Sequence, residues 1–510
     1  MLELMSIIHK MEASDFVQLF LLVVFPLIVV FFLKINLFPK RRSSTKSLPP
    51  GPPKLPLIGN LHQLKHPIHR VLHSLSQTYG DIMLLKLGTV PTLIISSADL
   101  ARDVIKNHDT TFGGRASRYA VDRVTYGSKD IVFSPYGDYW REVRKIAVLE
   151  LLSPKRVLSF RSVREDEVSL LLDSISSFGS SPFDLTKLLH ALANNVLCRV
   201  AFGRKFDGDG QKTPQELLEE TQFLVGSISL PDFFPWLSWL NKLNGFEKRV
   251  KKNCMELDEL YDLVIDDHLD PNRQKPDHED LVDVLLRLQR EKASSAVVNR
   301  NFVKALIADM FIAGTDTTAA TLVWTMTELM RHPDALAKAQ AEVRGKNKGK
   351  ERIEEGDLQG LSYLKAVIKE TLRLHAPTPL LIPRKTLADC EIRGYHIPAN
   401  TTVFFNTLTN AMDTNSWESP ATFRPERFVG SDVDFKGQHF QLIPFGVGRR
   451  ACPGMTFASA VMELVLANIL HRFDWELPPG TAEKDVDMEE GVGIVVNKKT
   501  PLIVVARSPA

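Results

Sequence analysis

The stretch "PFGVGRRACPG", residues 444–454, sets one cysteine, Cys452, among three glycines and two arginines, with prolines near both ends. Glycines free the backbone for turns and for close approach by a ligand. An apolar helical pattern runs from Met455 to Leu470, so the sulfur is predicted at a helix N-terminus. There the macrodipole and free N–H groups favour a thiolate, and Arg450 adds a positive neighbour. Three roles suit such a sulfur: haem iron ligand, nucleophile, or inert buried thiol. A nucleophile wants a histidine base, and the stretch contains none. "GVGRRA" also fits a loose dinucleotide fingerprint, but Pro444 and Pro453 break the strand and helix which that fingerprint needs.

Two further constellations carry chemistry. "AGTDTT", residues 313–318, puts a glycine and four hydroxyl or acid side chains inside a helical pattern. Gly314 costs a helix interior about 1 kcal/mol relative to alanine. One reading is a local opening in which Gly314 admits a ligand while Asp316 and Thr317 supply an acid and an alcohol for moving protons. The plainer reading is a solvent-facing polar patch. "KETLRL", residues 369–374, sets Glu370 and Arg373 three apart on one helix face. "FRPERF", residues 423–428, holds Arg427 between two phenylalanines, where it needs a carboxylate; Glu370 is the expected partner.

The elements that position these residues are mostly helical. Apolar residues recur at three- and four-residue steps from Asn301 to Arg331, a helix on the order of 45 Å long. Strand signals are few. Asp81–Leu87 and Thr92–Ser97 flank a Gly88–Pro91 turn like a hairpin, and "IPANTTVFFN" near residue 400 is again β-rich. No repeat, low-complexity tract or long Gly/Ser linker divides the chain, so residues 47–510 read as one large domain, mainly α with small β-sheets.

The 510 residues carry a net charge of +2, which argues against a broad nucleic-acid surface. Four cysteines, Cys198, Cys254, Cys390 and Cys452, are too sparse for a disulfide framework or paired zinc half-sites. Phe16–Leu33 is an apolar run with Asp15 before it and Lys34, Lys40, Arg41, Arg42 and Lys46 after it. That order predicts a retained transmembrane helix with the body of the chain in the cytosol, so residues 1–46 form an anchor and basic linker. "LPPGPPKLPLIGN", residues 48–60, then forms a stiff proline strut that opens the folded body.

Together these motifs resemble the cytochrome P450 enzymes. Phe445, Gly448, Arg450, Cys452 and Gly454 match the haem-binding signature FxxGxRxCxG, Glu370 and Arg373 match ExxR, Arg427 matches its PxRF-type partner, and "AGTDTT" matches the oxygen-activation motif. The resemblance implies haem b ligated by Cys452, with Asp316 and Thr317 guiding protons to bound O2. Trp140 and Arg144 in "YWREVRK" resemble the family's WxxxR, whose arginine holds a haem propionate; Arg384 and Arg450 resemble the other propionate arginines.

The strut and the haem loop are similar to those of plant microsomal members devoted to specialised metabolism. The chain departs from them at Ala411-Met412-Asp413-Thr414, where they usually read Gly-Arg-Asp-Pro. This resemblance implies a monooxygenase of the endoplasmic reticulum membrane. Such an enzyme takes electrons from NADPH-cytochrome P450 reductase and oxidises a lipophilic small molecule, a terpenoid or alkaloid. A haem-dependent isomerase or dehydratase on the same scaffold, or a non-catalytic membrane haem-binding protein, is the alternative. The implied pocket walls are Thr111–Val124, Phe223–Leu230, Phe311–Thr315 and "APTPLLIP" at 376–383. Arg141 and Lys145, four apart on one helix face, are candidates for docking the reductase, and "LPDFFPWLSWL", residues 230–240, for dipping into the bilayer surface.

Overall fold

The computed structural model describes residues 47–205, 214–227, 229–273, 278–291 and 298–509, with positions 22, 23 and 26. Apart from those three positions, the expected anchor Phe16–Leu33 lies outside the described residues, as does the basic linker up to residue 46. Five helices frame the site: α1 (Asp138–Ile146), α2 (Leu185–Phe202), α3 (Arg300–Arg331), α4 (Ser362–Leu374) and α5 (Met455–Arg472). Five strands form the main sheet: β1 (Ile82–Leu87), β2 (Val90–Ile95), β3 (Gly114–Arg115), β4 (Arg384–Lys385) and β5 (Thr402–Phe405).

The helix α3 starts one residue before the expected Asn301. Asn299 caps it by accepting a hydrogen bond from the Phe302 N–H at 3.0 Å. Its side chains are buried on nearly every face, so it forms the centre of the molecule, with α2, α4 and α5 packed about it. A Cβ on Gly314 would meet Leu197 Cδ1 of α2 at 2.9 Å. This close packing explains the glycine; the expected opening of the helix is not seen, because α3 runs through 313–318 as continuous α-helix.

The sheet order is β1-β2-β5-β4-β3, with β2 and β5 parallel and the other neighbours antiparallel. The hairpin turn is shorter than expected. Leu87 pairs with Val90, so only Gly88 and Thr89 form the loop, and Pro91 lies within β2 opposite Lys86. Gly88 has φ of 59°, a conformation that glycine adopts without a steric penalty. The proline strut docks on this hairpin. The Asn60 amide donates to the carbonyls of Pro52 and Pro53 at 3.2 Å, while its Oδ1 accepts from Lys86 N at 2.8 Å. At the other end of the sheet the β3/β4 register sets Arg115 opposite Arg384. Like charges directly across a strand pair repel, which points to an anion that the sheet edge is built to receive.

Candidate functional site

The glycine-rich loop of residues 444–454 folds back on itself because Gly446 and Gly448 both adopt φ of 70°. The turn closes through a hydrogen bond from Cys452 N to Phe445 O at 2.8 Å. No other residue would fit at 448, where a Cβ would meet the Asp109 carboxylate at 2.8 Å. The loop delivers Cys452 two residues before the Gly454 cap of α5. Cys452 borders a cavity of about 250 Å3 and is itself solvent-accessible. Its place within the fold leaves the sulfur desolvated, which pushes the thiol up, against the pull of the Gly454 N–H, of Arg144 and of the Met455 N–H. The expected charged neighbour is therefore corrected: Arg144, not Arg450, acts on the sulfur. The predicted lowering of its pKa is outweighed by burial, even with Arg144 beside it. Cys198, Cys254 and Cys390 do not line this cavity.

Four arginines converge on the same cavity: Arg115, Arg144, Arg384 and Arg450. Arg144 of α1 donates to Ala451 O at 2.6 Å. Arg384 donates to Asp109 at 3.0 Å and to Val447 O at 2.6 Å. Arg450 reaches the carbonyls of Gly113, Ile131 and Ser134 at 2.9, 3.3 and 2.7 Å. Arg115 reaches those of Val132 and Ile382 at 2.7 and 2.6 Å. Carbonyls satisfy donors but carry no full charge. Burial, then the mutual repulsion of Arg384 and Arg144, lowers Arg450 to about 9. Burial, then Arg450 and Arg384, holds Arg115 well below its ordinary value. The four guanidiniums outnumber the carboxylates that face them, Asp109 and Asp130, and a ligand with two carboxylates would supply the balance. The residues fit haem, whose propionates would meet the arginines while its iron faces the sulfur.

The structure sorts the remaining predicted residues. Phe445 and Gly454 line the cavity beside Cys452. Trp140 does not reach the wall. Its indole N–H donates to Ile131 O at 2.9 Å, and Arg450 lies over its ring at 4.2 Å, so it braces an arginine instead of touching a ligand. Thr317 lines the cavity and donates to Ala313 O at 2.8 Å. Asp316 turns away from it: Asn497 donates to its carboxylate at 3.0 Å and His190 lies 3.4 Å off. Burial raises this carboxyl, opposed by His190 and Asn497. The acid and the alcohol thus lie on different faces of α3.

Behind the cysteine loop, Glu370, Arg373 and Arg427 meet in one buried group. Arg373 forks onto both Glu370 oxygens at 2.8 Å, and Arg427 Nε reaches Oε1 at 2.9 Å. Of the expected walls, Arg115, Ala313, Gly314, Pro377, Thr378, Leu381 and Ile382 line the cavity, while none of the described residues of 223–230 does. Gly226 instead borders a second cavity of about 180 Å3, which shares Leu381 with the first. Sequence reasoning had Arg115 only within a pocket wall and not in the arginine cradle, and it missed Asp309 and the α2 residues Leu197 and Val200. Arg115 is flagged only by its register with Arg384, two strands remote in sequence.

Comparison with known proteins agrees with this arrangement. The cytochrome P450 family model matches residues 49–505. Cytochrome P450 71A9 of Glycine max is 50% identical over 95% of this chain and 97% of its own. Strychnine-11-hydroxylase of Strychnos nux-vomica is 49% identical over 93% of this chain and 94% of its own. A zebra fish cytochrome P450 solved with progesterone superposes with a TM-score of 0.75 at 25% identity, covering 87% of this chain and all of that one. Family membership brings the haem with its cysteine thiolate and the monooxygenase activity. The four-arginine cradle, the cysteine loop and the helical body around α3 are therefore those of a plant cytochrome P450, the family to which this chain belongs.

Proposed function

We propose that this chain oxidises a lipophilic plant specialised metabolite, a terpenoid or an alkaloid, with Cys452 as the axial ligand of haem b. The carrying observation is one cavity that holds the Cys452 sulfur, the arginine cradle and the Thr317 hydroxyl within mostly apolar walls. When bound, the haem supplies O2 activation; the chain's own residues orient the substrate, exclude water and deliver protons. Thr317 places a hydroxyl on the cavity wall, where it can pass a proton inward. Asp316 serves this from behind, holding a proton in contact with His190 and Asn497. Trp140, Arg144, Arg384, Arg450, Phe445 and Gly454 seat the cofactor directly or through one another. Glu370, Arg373 and Arg427 hold the scaffold beneath the loop.

The substrate class draws support from the relative whose name is that of an alkaloid hydroxylase and from the neighbour that holds a steroid. Access through the second cavity suits such a ligand. Its wall includes Phe233, beside a segment where Pro231 and Phe234 are buried while Leu230, Trp236 and Trp239 are exposed. Exposed aromatics there, with the expected anchor, favour residence at the endoplasmic reticulum membrane. Arg141 and Lys145 are both exposed, and Arg141 pairs with Asp138. They would face the acidic surface of an NADPH-cytochrome P450 reductase.

The decisive experiment reconstitutes the chain with reductase, NADPH and O2 and supplies alkaloid and terpenoid panels. Product formation that needs both NADPH and O2 supports the reading. Turnover without them would favour the isomerase or dehydratase, and no turnover on any substrate the non-catalytic haem-binding protein. Two variants refine it. Thr317→Ala is expected to cut product formed per NADPH about tenfold or more, with NADPH consumption changed by no more than about twofold; coupled peroxide and product assays read this. Leu381→Trp should block the junction between the two cavities and raise KM, while Leu381→Ala should not.

A further inference from the structure

Five residues, 130–134, join two of the four cradle arginines, Arg115 and Arg450, and Trp140, which braces Arg450. Ile131 O accepts from Trp140 at 2.9 Å and from Arg450 at 3.3 Å, Val132 O accepts from Arg115 at 2.7 Å, and Ser134 O accepts from Arg450 at 2.7 Å. The aim of two arginines thus depends on where this short segment sits. It lacks helix or strand structure of its own, so something else must hold it. The holding contact comes from α3, where Asp309 Oδ2 accepts from Ile131 N at 2.6 Å. Asp130 is wholly buried and bends the segment by accepting from Phe133 N at 2.8 Å through Oδ2. Its other oxygen, Oδ1, is buried with no hydrogen-bond donor in reach among the described residues.

The two carboxyl groups lie against each other. Two carboxylates cannot hydrogen-bond, but a carboxyl and a carboxylate can, and a shared proton gives the orphaned oxygen its partner. We propose that Asp309, joined to Asp130 across one shared proton, is the positioning residue that clamps segment 130–134 to α3 and so keeps Arg115 and Arg450 aimed at the cofactor's carboxylates. Neither aspartate is assigned a cofactor contact; both act through the segment.

Other groups facing the pair are consistent with a single negative charge. Arg115 and Arg450 face it from the cradle, Tyr139 from α1 and Tyr261 from the neighbouring helix Phe246–Leu269. Burial pushes Asp130 up to about 6, and burial with Asp130's charge holds Asp309 well above the ordinary carboxylate range. Raised acids in a folded state cost stability as pH rises above the unfolded value of 3.8, and the cost grows until the folded values are passed. Loss of the shared proton would therefore drive the carboxylates apart and loosen the clamp toward alkaline pH.

The test is the rate at which the full-length holoprotein loses haem to excess apomyoglobin, followed by absorbance from about pH 6 to about pH 9. Wild type should lose haem faster as pH rises. Asp309→Ala should lose it about tenfold faster already at about pH 6, since a buried charge-assisted hydrogen bond is gone. Asp309→Asn keeps an acceptor for Ile131 N and a donor for Asp130, so it should restore slow loss and flatten the pH profile, as should Asp130→Asn. Haem loss from Asp309→Ala at the wild-type rate overturns the proposal, as does an asparagine variant that fails to restore retention. Should the alanine variant not accumulate folded, the asparagine variants decide: pH profiles as steep as wild type would sink the shared proton and the clamp with it. Failure of the substrate reading would leave all these rates unchanged, so the two remain distinguishable.

Discussion

Glu370→Gln is expected to leave little folded holoprotein. Its carboxylate accepts four hydrogen bonds: two from Arg373 at 2.8 Å, one from Arg427 at 2.9 Å and one from Arg424 N at 2.8 Å. Glu370 and Arg373 have no solvent-exposed side-chain surface and Arg427 has 7%. Glutamine would offer one acceptor oxygen and turn an NH2 toward a guanidinium. Two buried cations would then lack their anion, a loss of about 3–5 kcal/mol. Native domains have a margin of only about 5–15 kcal/mol, so a large part of it would go. The exposed pair Arg102–Asp99 is the control, because its removal should cost under about 1 kcal/mol. Thermal unfolding and haem content per polypeptide measure both. A Glu370→Gln protein that melts with the wild type would show that the buried group does not hold the scaffold.

Cys452→Ser is expected to abolish oxygenation while sparing most of the fold. The exchange keeps volume and leaves the loop's own bond, Cys452 N to Phe445 O, in place. It removes the thiolate, and with it the electron donation that favours O–O cleavage. The reduced protein with carbon monoxide should lose its thiolate-type band, and turnover should fall by at least about 1000-fold, on the order of 4 kcal/mol of barrier. A serine variant that retained that band would assign the ligand elsewhere.

Much of this site is readable in one dimension because its parts are local. The loop of residues 444–454 encodes its turns in Gly446 and Gly448, and Glu370 and Arg373 meet because residues three apart share a helix face. The same periodicity separates Asp316 from Thr317. Adjacent helical residues point about 100° apart, and that turn leaves Thr317 on the cavity wall and Asp316 toward His190 and Asn497. Arg115 stays hidden because its partner Arg384 comes from a remote strand, and no local pattern announces that register. Gly314 is opaque for a similar reason: its demand for space comes from Leu197 on another helix.

The repulsion built into the arginine cradle ties maturation of this polypeptide to pigment supply. Until a dianionic pigment binds, the closed body holds more buried cations than facing carboxylates, which lowers its stability. Cells short of tetrapyrrole would therefore hold a less stable molecule, more readily cut by proteases, and a recombinant host fed a porphyrin precursor would return more intact enzyme from the same messenger.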